Sequence, residues 1–139
     1  VGAGMPTVAE CGGFLYLGRA LADEEGQSWP MAGVLPGQGF AARGLVRFGY
    51  TTLTAEQDSL LFRKGEAVPA HEFHHWDTTG PGTALAARKP DGRAWRCGFA
   101  SPGLYAAFPH LYWAGRPELA ARFVRAAAAY RKEHHHADI

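Results

Sequence analysis
The sequence predicts an α/β domain in which one strand–helix unit is extended by antiparallel strands. Three observations carry that expectation. A short apolar run after a proline, Thr7-Val8-Ala9, leads through Cys11-Gly12-Gly13 into Phe14, Leu15, Leu17 and Leu21 at helical spacing. The middle of the chain is a run of short strand-like segments separated by Gly- and Pro-rich breaks. One long helix closes the chain. Arg116-Pro117-Glu118 opens it with proline in the first turn, and Leu119, Phe123, Val124 and Ala127 line one face up to about Lys132.

The stretch Met5–Leu17 organises the rest. A strand that turns into a helix through one reactive side chain followed by glycines is a nucleophile elbow. Here it reads Ala9-x-Cys11-x-Gly13, with Ala in place of the first glycine of G-x-S-x-G. The glycines are expected to let the helix start close to the strand and to leave room above the thiol. The helix N-terminus should favour the thiolate, and the Gly12 N–H can donate to an oxyanion. Glu10 is expected on the opposite side of the turn, outside the reach of a third catalytic member. A buried structural cysteine is the competing reading of Cys11.

The remaining elements follow in order. The helix is expected over about Gly13–Ala22, then a polar turn at Asp23–Gln27. Trp29–Pro36 reads as a short strand bounded by prolines, Gly37–Gly44 as a flexible loop, and Leu45–Leu53 as a strand. Glu66–Trp76 carries a histidine cluster. Ala84–Ala87 and Ala94–Phe99 flank Pro90-Asp91-Gly92 and read as a hairpin. Leu104–Trp113 is an apolar run that contains His110.

Composition narrows the function classes. The 139 residues, 47% hydrophobic and with a formal net charge of +1, suffice for a single core. With no long basic run, nucleic acid is not expected as a partner, and no apolar stretch approaches the ~20 residues a membrane span needs. Cys11 and Cys97 form neither a C-x-x-C pair nor a framework, which fits a reducing cytoplasm. The chain starts only a few residues before a central strand, so it is expected to be part of a longer protein.

Two groups of histidines bear on chemistry. His110 ends an apolar run, where it could reach a thiolate from a neighbouring strand end; a histidine bonded only to backbone would look the same. His71-Glu72-Phe73-His74-His75 matches H-E-x-x-H, but that zinc chemistry needs a helix to put both histidines on one face. Pro69 before it and Gly80-Pro81-Gly82 after it oppose a helix, and Thr78 and Pro81 stand where the extended motif needs Gly and His. As a strand, the segment would put His71, Phe73 and His75 on one face and Glu72, His74 and Trp76 on the other. His134-His135-His136 reads as part of a disordered tail over 134–139 rather than a metal site.

Several blocks together resemble a known family. They are Pro6–Leu17, Met31–Pro36, Leu45-x-x-x-Gly49-Tyr50, His71–His74 and His110–Trp113 followed by Ala-Gly-x-Pro-Glu-Leu-Ala. In this order and spacing the chain is similar to the C-terminal glutaminase domain of the cobyrinate (hydrogenobyrinate) a,c-diamide synthases. The resemblance implies a flavodoxin-like class I glutamine amidotransferase domain over 1–133, lacking its N-terminal part and carrying added antiparallel strands. It implies hydrolysis of L-glutamine to supply ammonia for amidating the a and c carboxylates of a corrin. ATP and Mg²⁺ would act in a synthetase domain outside this chain. Carried over by residue, Cys11 would be the nucleophile, His110 its base and Gly12 an oxyanion donor. His71, Glu72 and His74 would lie near the site or at its corrin-facing edge, as substrate-binding residues. Tyr112 stands where a full triad has the carboxylate of His-x-Glu, so a Cys/His pair without an orienting carboxylate is expected.

Two other readings compete with this one: a truncated or degenerate, non-catalytic glutaminase-like binding module, and the zinc-dependent hydrolase. An exposed sheet edge would favour pairing with a second copy.

Overall fold
The computed structural model describes residues 1–134. β1 (Thr7–Glu10) passes through Cys11 into α1 (Gly12–Leu17). The helix is shorter than its apolar spacing suggests. Gly18 leaves helical geometry at φ −65°, ψ 177°, and Ala20–Ala22, expected to complete the helix, forms β2 instead. Residues 31–35, expected as strand, are a loop that caps α1. The N–H groups of Ala32, Val34 and Leu35 donate to the carbonyls of Tyr16 and Leu17, 2.8–3.0 Å away, which would otherwise be orphaned at the helix end.

Only Ser28–Pro30 of that region is strand (β3), paired antiparallel to β2 across the Asp23–Gln27 turn. The predicted flexible loop at Gly37–Gly44 contains β4 (Gln38–Ala41), parallel to β2. Its glycine is there for packing. A Cβ on Gly39 would lie 2.7 Å from Leu21 Cδ1 and 2.8 Å from Leu15 Cδ2.

β5 (Arg47–Ala55) pairs antiparallel with β6 (Ala67–His74), and β7 (Trp76–Thr78) joins β4. The expected hairpin is β8 (Leu85–Arg88) and β9 (Ala94–Cys97), with Leu85 opposite Cys97 and Arg88 opposite Ala94. β10 (Phe99–Ser101) turns back into β11 (Leu104–Ala107), β12 (His110–Leu111) follows, and α2 spans Pro117–His134. His134 therefore ends a helix; the rest of the predicted tail lies outside the described residues.

Among the described residues three sheets result, in the orders β1-β11-β10, β12-β6-β5-β8-β9 and β3-β2-β4-β7. The β1–β11 and β2–β4 pairs are parallel, and the other strand pairs are antiparallel. This is the expected mixed α/β class.

β11 divides the core. All four of its residues are buried. Tyr105 and Ala107 face a cluster with Leu53, Phe62, Val68 and Leu119, while Leu104 and Ala106 face one with Phe14, Leu17 and Phe108. A strand covered on both faces becomes a continuous apolar run, as the sequence has it.

α2 lies on the first cluster through Leu119, Phe123 and Ala126, whereas Val124, expected on the packed face, is 63% exposed. Arg122 ties the helix down by donating to the Leu61 carbonyl and to both carboxylate oxygens of Glu66. No described helix is long and apolar enough to cross a membrane.

Candidate active site at the β1–α1 elbow
Cys11 is the one non-glycine residue with positive φ among the described residues, at φ 50°, ψ −109°. Flanking hydrogen bonds hold it there. Its N–H donates to the Ala107 carbonyl (2.9 Å), and its carbonyl accepts from Leu15 N–H (3.1 Å). The strained elbow expected from Ala9-x-Cys11-x-Gly13 is present. The two glycines are placed as the elbow requires: neither has positive φ, a Cβ on Gly12 would meet nothing within 4 Å, and one on Gly13 would lie 3.6 Å from Ala9 Cβ of the strand. The space above the turn is open.

The half-buried thiol lines an open, mainly apolar cavity of about 550 Å³ with Leu15, Tyr16, Met31, His74 and Trp76. Its acidity departs from the sequence expectation. Burial pushes the Cys11 thiol above its ordinary value of 9.0, the Gly12 N–H pulls it down, and the Glu10 and Glu72 carboxylates push it up. A helix of six residues does not offset desolvation and two nearby negative charges. Removing the thiol proton here calls for a base.

His110 opens β12 opposite His71 of β6. The imidazole is half exposed and lines a second hollow, of about 530 Å³, with Tyr50, Pro69, His71 and Tyr112. Glu10 lies beside it. Its Oε2 is 3.4 Å from His110 Nδ1, while its Oε1 accepts from Leu111 N–H (3.1 Å) and Trp113 Nε1–H (3.3 Å). The sequence reading put Glu10 on the far side of the turn and left His110 without a carboxylate; the fold brings the two together. Glu10 ends β1 opposite Ala107, and β11 continues within three residues to His110, so the parallel strand pair carries both groups to one end.

The histidine cluster is strand, not helix, and its alternation is as expected. Glu72 and His74 are buried at 1% and 5% exposure, while Phe73 and His75 face outward and His71 is half-buried. Strand geometry separates the motif histidines from Glu72, and no three His, Cys, Asp or Glu side chains converge as a metal site among the described residues. The H-E-x-x-H match thus falls on a strand, the geometry expected from Pro69 and Gly80-Pro81-Gly82.

His74 Nδ1 is 2.6 Å from the Trp76 carbonyl, so Nδ1 carries the hydrogen. His74 Nε2 then faces Glu72 Oε1 at 3.7 Å. Glu72 Oε2 and His74 Nε2 make no hydrogen bond to another described group. The structure thus gathers Cys11, Gly12 and His74 at one cavity, with the Glu72 charge near enough to act on the thiol. His110 and His71 sit at the other hollow. Sequence reasoning missed Glu10 and its anchor Trp113. The signal was there: a carboxylate ending an apolar strand must find donors when the strand is packed on both sides.

Residues 1–117 match the model of the CobB/CobQ-like glutamine amidotransferase domain. The chain is 39% identical over 129 residues to the cobyrinate a,c-diamide synthase of Salmonella typhimurium, covering 89% of this chain and 28% of that protein. It is 38% identical over 135 residues to the hydrogenobyrinate a,c-diamide synthase of Thermobifida fusca, covering 93% and 27%. The cobyrinate a,c-diamide synthase of Caldanaerobacter subterraneus is 36% identical over 111 residues, covering 78% and 25%. The chain thus spans about a quarter of the length of these relatives. By this family match over residues 1–117, the chain belongs to the CobB/CobQ-like glutamine amidotransferase domains.

Proposed function
We propose that this chain is the glutamine-hydrolysing part of an enzyme that amidates the a and c carboxylates of cobyrinate or hydrogenobyrinate. The observation that carries the reading is the strained elbow at Cys11, with the Gly12 N–H at the thiol and open space above Gly12. His110 Nε2 takes the thiol proton, and the sulfur attacks the carboxamide carbon of L-glutamine. The negative oxygen of the tetrahedral intermediate is stabilised by Gly12 N–H. The C–N bond breaks as His110 returns the proton to the departing nitrogen, which leaves as ammonia. Water then cleaves the γ-glutamyl thioester to glutamate. His74 borders the cavity that would hold glutamine, Glu72 lies buried beside His74, and His71 borders the hollow at His110.

Ammonia release alone does not activate a carboxylate. That step would use ATP and Mg²⁺ in a part of the enzyme other than this chain. The relatives' names supply the corrin substrates. The two free cysteines suit a reducing cytoplasm. A homodimer would use an exposed sheet edge.

One observation favours a second reading, a non-catalytic glutaminase-like module: Cys11 and His110 line separate hollows. Intact mass after incubation with 6-diazo-5-oxo-L-norleucine decides between them. A single adduct, absent in Cys11→Ser and retained in Gly12→Ala, which keeps the backbone N–H and adds a Cβ only in open space, supports the glutaminase. An unlabelled chain, still unlabelled when extended to the relatives' length, overturns it.

A further inference from the structure
We propose that Glu10 is a positioning residue for His110, holding the imidazole with its hydrogen on Nδ1 so that Nε2 is free to take the Cys11 proton. The inference rests on the glutaminase reading and adds an orienting carboxylate to it. The position that would normally supply one, Tyr112, is 59% exposed and has no carboxylate. Glu10 supplies it from the residue next to the nucleophile.

The geometry is specific. One carboxylate oxygen is pinned by two donors that follow His110 in the chain, Leu111 N–H and Trp113 Nε1–H. That leaves the other, Oε2, 3.4 Å from Nδ1. The carboxylate cannot turn away without losing both donors. It is the inner member of the pair, at 20% side-chain exposure against 50% for His110. A half-exposed imidazole on a two-residue strand has little else to fix its ring: across the strand stands His71, which holds no charge complementary to an imidazolium. The contact is at ion-pair rather than hydrogen-bond geometry; a carboxylate placed there favours the Nδ1–H tautomer and stabilises the imidazolium formed when Nε2 takes the proton. The proton moves from Sγ to Nε2 and later to the departing ammonia; Glu10 stays ionised throughout.

Glu10→Gln is the informative change. It keeps an oxygen for Leu111 and Trp113 and presents an NH₂ group to Nδ1. That reverses the preferred tautomer and puts the hydrogen on Nε2. Long-range ¹⁵N–¹H spectra of the labelled chain, with the His110 signals assigned by their loss in His110→Asn, read the tautomer directly. The expected result is Nδ1–H in the wild type and Nε2–H in Glu10→Gln. Labelling by 6-diazo-5-oxo-L-norleucine should then lose about tenfold or more in its maximal rate, with half-saturation unchanged within about twofold. Trp113→Phe, which removes one anchor and keeps the charge, should give a smaller rate loss and covers the case of a Glu10 variant that does not fold.

A wild type with Nε2–H, or a Glu10→Gln rate within about twofold of wild type, overturns the inference while leaving the glutaminase in place. A tautomer change without any wild-type labelling overturns the glutaminase reading, and with it the catalytic purpose of Glu10.

Discussion

The imidazole of His74 lies flat on the ring of Phe108, 4.0 Å between centroids and 5° between planes. Phe108 in turn meets Phe14 of α1 edge-on at 5.2 Å. The long antiparallel sheet is thus stacked through Phe108 onto the elbow helix. Phe108→Ala should cost about 3–5 kcal/mol in urea unfolding, because it leaves a cavity between two elements that share no backbone pairing. A loss below about 1 kcal/mol would show that this contact contributes little.

Alkylation by iodoacetamide should report the two thiols separately. Burial and the Glu10 and Glu72 carboxylates hold Cys11 above its ordinary value of 9.0, so its reaction rate should still be rising past that pH. Cys97, pushed up to about 12 by burial, should stay silent. Glu72→Gln removes one of the negative charges opposing the thiolate, so the Cys11 profile should move to lower pH. A profile that moves upward or stays put would exclude electrostatic contact between Glu72 and the elbow.

Acid should weaken the tie between α2 and the segment at Glu66. The Arg122 guanidinium holds the Glu66 carboxyl down at about 2, against an ordinary 4.5. A depressed carboxyl stabilises the folded chain above its unfolded pKa, and that contribution disappears as pH falls from about 4.5 through about 2. Near neutral pH, Arg122→Gln should therefore cost about 1 kcal/mol, a modest figure for a partly solvated bidentate pair. The gap between variant and wild type should close on acidification through that window, as followed by urea midpoints at several pH values. A gap independent of pH would assign the loss to the Leu61 carbonyl contact instead.

Two glycines with similar backbone angles should respond differently to alanine. Gly82 (φ 75°) bridges Gly98, and a Cβ there would sit 2.1 Å from the Gly98 carbonyl oxygen. Gly92 (φ 89°) turns the β8–β9 hairpin in open space. Gly92→Ala should cost about 1–2 kcal/mol from backbone preference alone. Gly82→Ala should cost well beyond that or fail to fold, because backbone rather than a flexible side chain must move. Equal melting temperatures for the two would contradict the clash.

Much of this was legible from local chemistry. The elbow showed because a strand, a thiol and two glycines form a contiguous pattern. The Asp91-Gly92 hairpin and the Pro117 helix start likewise depend on near neighbours in the chain. What failed to show was set by contacts distant in sequence. Gly37–Gly44 looks like loop until Leu15 and Leu21 press on Gly39, which makes its missing side chain a packing device. Leu21 completes a helical period, yet Gly18 stops the helix and hands Leu21 to a strand. The Glu10–His110 pair joins residues 100 positions apart through the parallel β1–β11 register, which no local window contains. The Glu72–His74 alternation was readable because a strand's period is local, while its burial under Phe108 was not.

The backbone at Cys11, φ 50° and ψ −109°, is close to the mirror image of an ordinary extended residue, a conformation that glycine adopts freely and other residues adopt at a cost of about 1–3 kcal/mol. The elbow is therefore where stability and reactivity compete: the side chain best suited to the backbone at this position is no side chain at all. Cys11→Gly should unfold at a higher urea concentration than the wild type, by about 1 kcal/mol, while losing every trace of thiol chemistry.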